Sequence, residues 1–155
     1  MSTLKFTYDE IHKIIKNKHE YISTSFKPDL IVAISGGGLI PSRILRTYLD
    51  IPIYTVSMHF YNEKHELMEN PEIIQWIDND FSNKRVLIVD EIDDTGTTIN
   101  YCVKKLKETN RCNEIGAFVI HYKLKKKIFD NDKDTNYFVG QYVPNKWITY
   151  PWDNK

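Results

Sequence analysis

Four acids fall within five positions, Asp90, Glu91, Asp93 and Asp94, and the hydroxyl-rich turn Thr95-Gly96-Thr97-Thr98 follows at once. A turn of this composition that opens a helix presents backbone N–H groups, the positive end of the helix dipole and three hydroxyl donors. Together these make a cradle for a phosphate. Carboxylates beside the cradle would repel the phosphate unless they face sugar hydroxyls, Mg²⁺ or a developing positive charge. A phosphorylated ribose with a good leaving group meets all of these demands. The plainer alternative is that the acids solvate a strand end while Thr97 and Thr98 cap a helix. Acids clustered before a Gly-bearing turn, at the C-terminal end of a strand, are the usual site geometry of α/β folds and favour the first reading.

The elements that must position these groups are legible on both sides. Val86-Leu87-Ile88-Val89 reads as a fully buried strand, and Ile99, Cys102, Val103 and Leu106 mark one face of the helix that follows. Four apolar residues, two acids and a D-T-G-x-T loop resemble the signature of the type I phosphoribosyltransferases. Pro28-Asp29 marks a turn before a second apolar run, Leu30–Ile34, which ends in Ser35-Gly36-Gly37-Gly38 and leads into a helix. Consecutive glycines there allow close approach of an anion to main-chain N–H groups, or merely tight packing. In the family this turn is the pyrophosphate loop, which implies that Ser35, Gly36 and Gly37 bind pyrophosphate and hold a non-proline cis peptide between Ser35 and Gly37. Many relatives place a basic residue beside these glycines where this chain has Gly36. Arg43 or Arg46 from the next helix would supply the charge, or backbone and Mg²⁺ suffice.

Thr7-x-x-Glu10 fits a capping box for a helix over residues 6 to about 22, with Tyr8, Ile11, Ile15 and Ile22 on one face. Ile53–Val56 is a third short strand. The polar connection from Ser57 to Asn83 is long for a compact domain, carries a candidate edge strand at Ile73–Ile77, and occupies the place of the family's flexible hood. Gly116–Ile120 is a further strand with Lys123 at its tip, whereas Lys125-Lys126-Lys127 reads as a solvated run. His12, His19, His59 and His65 read as surface residues or core edge rather than ligands.

The C-terminal run Val143-Pro144-Asn145-Lys146-Trp147-Ile148, followed by Asp153, resembles the 6-oxopurine members of the family. That resemblance implies that Trp147 stacks on the purine, the Ile148 backbone reads its edge and Lys123 bonds the 6-oxo group. It also puts Asp153 and Glu91 on the Mg²⁺ side. An indole face suits a flat π ligand and an ammonium donor suits a carbonyl oxygen. Plain core packing is the alternative for Trp147 and Trp152. By the same resemblance Asp90 and Glu91 hold the ribose hydroxyls, Asp94, Thr95, Gly96, Thr97 and Thr98 grip the 5′-phosphate, and Asp94 is the catalytic base near purine N7. Asp93 receives no role.

At 155 residues the chain is expected to be one domain (1–155), with a hood at 57–83 and a purine-side segment at 137–155. The expected fold is α/β, a parallel sheet of about five strands flanked by helices. Lys plus Arg and Asp plus Glu both total 21, so no global charge points to nucleic acid or an anionic membrane. Cys102 on a helix face and Cys112 among polar residues suggest neither disulfide nor zinc, and the chain reads as cytoplasmic. The expected activity is Mg²⁺-dependent transfer of the phosphoribosyl group of PRPP to hypoxanthine, guanine or xanthine, giving a nucleoside monophosphate and pyrophosphate, in a homodimer. The rivals are a non-catalytic nucleotide-sensing regulator of the same fold and a phosphoribosyltransferase for another base.

Overall fold

A computed structural model of the chain describes residues 2–130 and 135–155. The elements, in order, are β1 (Thr3–Lys5), α1 (Tyr8–Ser25), β2 (Leu30–Ser35), α2 (Leu39–Leu49), β3 (Ile53–Tyr61) and β4 (Leu67–Gln75). Then come β5 (Arg85–Asp93), α3 (Thr97–Asn110), β6 (Glu114–Leu124), β7 (Asn136–Pro144), β8 (Trp147–Thr149) and a final 3₁₀ turn, Pro151–Asp153. Six strands form the main sheet in the order β4-β3-β2-β5-β6-β7. Five run parallel and β4 alone is antiparallel, paired with β3 as a hairpin. The expected five-strand parallel sheet is therefore present, and the hood region adds a sixth strand to its edge.

Strand residues alternate between two cores. Leu30, Val32, Ile34, Val86 and Ile88 pack on one face with Ile99, Cys102, Val103 and Leu106 of α3. Ile31, Leu87 and Val89 pack on the other with Ile11, Ile15 and Ile22 of α1 and Leu45 of α2. Because both faces are covered, Leu30–Ile34 of β2 and Val86–Val89 of β5 are apolar at every position, which is why they read as continuous runs. Helix α1 begins as its composition requires, with Thr7 Oγ1 accepting from Glu10 N at 3.1 Å and acids in its first turn. Tyr8 departs from the expected apolar face and is exposed, since it sits in the first turn beyond the sheet.

Two other expectations are corrected. Cys112 is buried, because the turn after α3 tucks it into the α3-side core; it and Cys102 are free thiols. The end of the long 57–83 connection is built into the body: Ile77 and Phe81 join the same core. Parallel pairing of Thr3–Lys5 with Trp147–Thr149 makes a separate two-stranded ribbon beside the main sheet. Among the described residues no helix is long and apolar enough to cross a membrane.

Candidate active site

All the chemistry-bearing loops lie at the C-terminal ends of β2, β5 and β6, where a parallel sheet opens its crevice. At the β5 tip Asp90 is buried, and its Oδ1 accepts from Glu91 N at 2.9 Å. Burial, and then the neighbouring charge of Glu91, push the Asp90 carboxyl well above the usual range. Burial also raises Glu91, and the charge of Asp153 adds to it. The Glu91 carboxylate reaches across to the β2 loop: a Cβ at Gly37 would coincide with it. Gly37 therefore lets an acid from one strand lie inside the loop of another. The peptide Ser35–Gly36 in this loop is cis, within the expected span.

Asp94 sits among lysines. Lys125 Nζ donates to its Oδ1 at 2.8 Å, and Lys123 Nζ lies 3.7 Å from Oδ2. Burial alone would raise the Asp94 carboxyl, but the Lys125 hydrogen bond and the charges of Lys123, Lys125 and Lys127 outweigh it and hold it below the ordinary value. The next residues turn sharply into α3. Gly96 has φ +83°, and a Cβ there would collide with the Phe129 carbonyl oxygen, so both backbone angle and space demand glycine. Thr95 Oγ1 and Thr97 Oγ1 are 2.7 Å apart, and Gly96 offers the helix no side-chain cap. The α3 N-terminus therefore has N–H groups without a side-chain cap, a position that favours an anion.

A cavity of about 550 Å³ joins these loops to the C-terminal segment. It brings together Gly36, Gly37, Glu91, Asp94, Lys123, Trp147, Ile148 and Asp153, eight of the residues expected to act together. Ser35 and Asp90, in β2 and β5, and Thr95 to Thr98, at the turn into α3, are not in its lining. Trp147 is 65 % exposed, so its indole is open to a flat partner instead of packed in a core. Trp152 also lines the cavity, its ring parallel to Tyr150 (3°, centroids 4.8 Å apart). Tyr150 OH donates to the Glu91 carbonyl at 3.2 Å and stands 2.9 Å from His121 Nδ1, which ties the C-terminal segment to the β5 tip. His121 is fully buried, and burial lowers its pKa to about 4, so the imidazole is neutral.

Arg43 and Arg46 do not reach the cavity. Arg43 donates to Thr47 Oγ1 at 3.0 Å on the exposed face of α2, and Arg46 is exposed one turn along. The lining consequently carries three carboxylates, Glu91, Asp94 and Asp153, against one ammonium, Lys123. Among the described residues no group of three or more acids, histidines or cysteines could hold a metal alone. Glu91 and Asp153, which oppose each other electrostatically, do fit the mode Mg²⁺ favours: one or two carboxylates, with substrate phosphates and water completing the shell.

Lys125 and Lys127 are the main correction to sequence reasoning, because the Lys127 side chain is buried and that of Lys125 partly so. Only Lys126 of the run is exposed; the others fold back on Asp93 and Asp94, whose carboxylates and carbonyls need cations. Tyr150, Trp152, Leu39, Ile40 and Ile92 in the lining were also missed. For Ile92 a signal existed: an apolar residue between acids at a strand tip must point the opposite way from its neighbours.

Residues 4–154 match the model of the phosphoribosyl transferase domain. Among curated proteins the chain is 39 % identical over 184 residues to a hypoxanthine-guanine phosphoribosyltransferase of Schizosaccharomyces pombe, covering 97 % of this chain and 88 % of that one. It is 36 % identical to xanthine phosphoribosyltransferase 1 of Saccharomyces cerevisiae, covering 95 % and 88 %. Among solved structures, a hypothetical protein of Neisseria gonorrhoeae with bound ppGpp superposes with a TM-score of 0.87 at 38 % identity, over 99 % of this chain and 90 % of that one.

Proposed function

The chain belongs to the phosphoribosyltransferase family, and on that footing we propose how its cavity divides the work of the family's reaction. It is a purine salvage enzyme that transfers the 5-phosphoribosyl group of PRPP to a 6-oxopurine, hypoxanthine, guanine or xanthine. The products are a nucleoside 5′-monophosphate and pyrophosphate. The purine nitrogen forms a bond to the anomeric carbon as the bond to pyrophosphate breaks, its electron pair leaving with the pyrophosphate. Positive charge builds on the ribosyl carbon in between, as in glycoside chemistry.

Thr95, Gly96, Thr97 and Thr98 hold the 5′-phosphate, an anchor remote from the reacting carbon that fixes its position. Asp90 and Glu91 bind the ribose hydroxyls, and Ser35, Gly36 and Gly37 receive the pyrophosphate. Trp147 stacks on the base, the Ile148 backbone meets its edge, and Lys123 donates to the 6-oxo oxygen. Asp94, kept ionised by its lysines, accepts the proton that the purine loses at N7. Lys123 is shared between the carbonyl and Asp94; as it turns to the base, Asp94 loses a counter-charge and becomes a stronger base.

The observation that carries this assignment is the cavity that joins Asp94, Lys123, Trp147 and the β2 loop. Its excess of carboxylates supports a Mg²⁺ complex of PRPP as the substrate, with Glu91 and Asp153 on the metal side. Mg²⁺ held there would supply positive charge to the departing pyrophosphate. Two free buried thiols support a cytoplasmic setting.

Product formation with PRPP and Mg²⁺ against hypoxanthine, guanine, xanthine and adenine tests the assignment. Turnover of at least one oxopurine, with adenine inert, is expected. Adenine turnover alone would overturn the base assignment, and PRPP binding without any turnover would make the protein a nucleotide sensor. The ppGpp bound to the gonococcal neighbour supports a second ligand for the same cavity. A guanosine polyphosphate placing guanine on Trp147 and phosphates on the Thr loop would inhibit competitively with PRPP, which initial-rate kinetics would show.

A further inference from the structure

The segment after β6 holds the backbone of the phosphate loop along three consecutive peptides. Lys127 Nζ donates to the carbonyl oxygens of Asp93 and Asp94 at 2.9 and 2.8 Å, and lies 3.2 Å from Asp93 Oδ1. Both partners are almost wholly buried, with side chains 5 % and 2 % exposed. Tyr137 OH donates to the other Asp93 oxygen, and the ammonium sits 3.9 Å from the centre of the Tyr122 ring. Ile128 N and Phe129 N then both donate to the Thr95 carbonyl, at 2.9 and 3.2 Å. In a trans peptide the C=O of one residue and the N–H of the next point in opposite directions. Drawing the carbonyls of Asp93, Asp94 and Thr95 toward residues 127–129 therefore turns the N–H groups of Asp94, Thr95 and Gly96 the other way. Successive N–H groups so aligned form an anion-binding nest.

We propose that Lys127 is a positioning residue, which with its partner Asp93 presets the phosphate loop to receive the 5′-phosphate of PRPP before the ligand arrives. Lys127 touches neither substrate nor reacting atoms; beyond its share of the charge around Asp94, it acts through the main chain of residues 93–95. Asp93 fixes the ammonium in place, and the two charges neutralise each other in a dry site. This rests on the salvage activity stated above only for the identity of the ligand, since the clamp itself is a property of the loop.

Lys127→Met keeps the apolar stem and removes the ammonium. The KM for PRPP should rise at least tenfold while the KM for the purine stays within about twofold, a split that general destabilisation would not produce. Amide hydrogen exchange at residues 94–98 should quicken at least tenfold, with the strands of the main sheet unchanged. The Met variant also leaves a buried carboxylate unpaired, which could by itself loosen the fold. The double variant Asp93→Asn/Lys127→Met removes that charge. It should regain most of the lost melting temperature yet keep the raised KM for PRPP, because the carbonyls of Asp93 and Asp94 still lack their donor. Recovery of both quantities in the double variant would overturn the proposal and leave the pair a mere charge balance. Unchanged loop exchange in Lys127→Met would overturn it whatever the enzyme's substrate. A wild-type protein inert toward every oxopurine would count against the salvage activity instead, and the exchange result would then decide the clamp alone.

Discussion

Asp94 shows how little a residue's type says about its strength as a base. Its carboxylate stands between burial, which favours the proton, and three ammonium groups, which disfavour it, and the cations win. Asp94→Asn should lower kcat by about 10²–10⁴, the range for one acid–base group, with the fold retained; wild-type turnover in that variant would remove Asp94 from the chemistry. His121 predicts a pH dependence of the same sign as a carboxylate whose pKa is lowered on folding, with stability lost as pH falls. Its folded pKa of about 4 lies below the ordinary 6.5, so between those values the unfolded chain takes up a proton that the folded chain refuses. The stability it contributes is complete above pH 6.5 and lost as pH falls toward 4, on the order of 3 kcal/mol in all. Thermal melts across that window should show a flatter pH dependence for His121→Gln than for the wild type. At this scale the acids and Thr turn were legible because they are contiguous. The roles of Lys125 and Lys127 were not, since a lysine run reads as solvated until a chain reversal places it on buried carbonyls.

Elements built from one strand and one helix were readable because each satisfies itself locally, with a continuous apolar run followed by an amphipathic turn. The hood was harder. Its hairpin strands were partly legible, but its return path depends on Asn110 at the far end of α3. Asn110 Nδ2 donates to the carbonyls of Ile77 and Asn79 at 2.8 Å each, its Oδ1 accepts from Trp76 Nε1 at 2.8 Å, and its carbonyl accepts from Phe81 N. One buried amide therefore fastens the hood to the helix whose other end holds the phosphate loop. Nothing in the surrounding T-N-R-C pattern announces this. Asn110→Ala strands an indole N–H and two carbonyls and should cost about 2–4 kcal/mol in urea unfolding, with one unsatisfied group contributing 1–3. A loss below half a kilocalorie would mean that water replaces the amide without penalty.

For the molecule as a whole, the salient fact is that a chain with balanced charge keeps an excess of carboxylates in the cavity at the C-terminal ends of its strands. If the Thr loop and the Trp147 face bind as proposed, a nucleoside monophosphate occupies both together. Saturation with IMP or GMP at about a hundred times Kd should add about 2.7 kcal/mol of stability. That corresponds to a rise of roughly 5–10 °C in melting temperature for a domain of this size, readable by scanning calorimetry. AMP at the same concentration, lacking a 6-oxo group for Lys123, should shift it less. The short ribbon that pairs Thr3 with Trp147 and Lys5 with Thr149 has a further consequence, in the order of biosynthesis. As the chain emerges from the ribosome, β2, β3 and β5 can begin to pair while the partner of Thr3–Lys5 is still unmade. The Trp147 face takes its full place only after synthesis ends, when a late segment docks on an early one. A nascent or clipped product lacking the late segment would keep much of its sheet and its Thr95–Thr98 turn, and would have no Trp147 face to present.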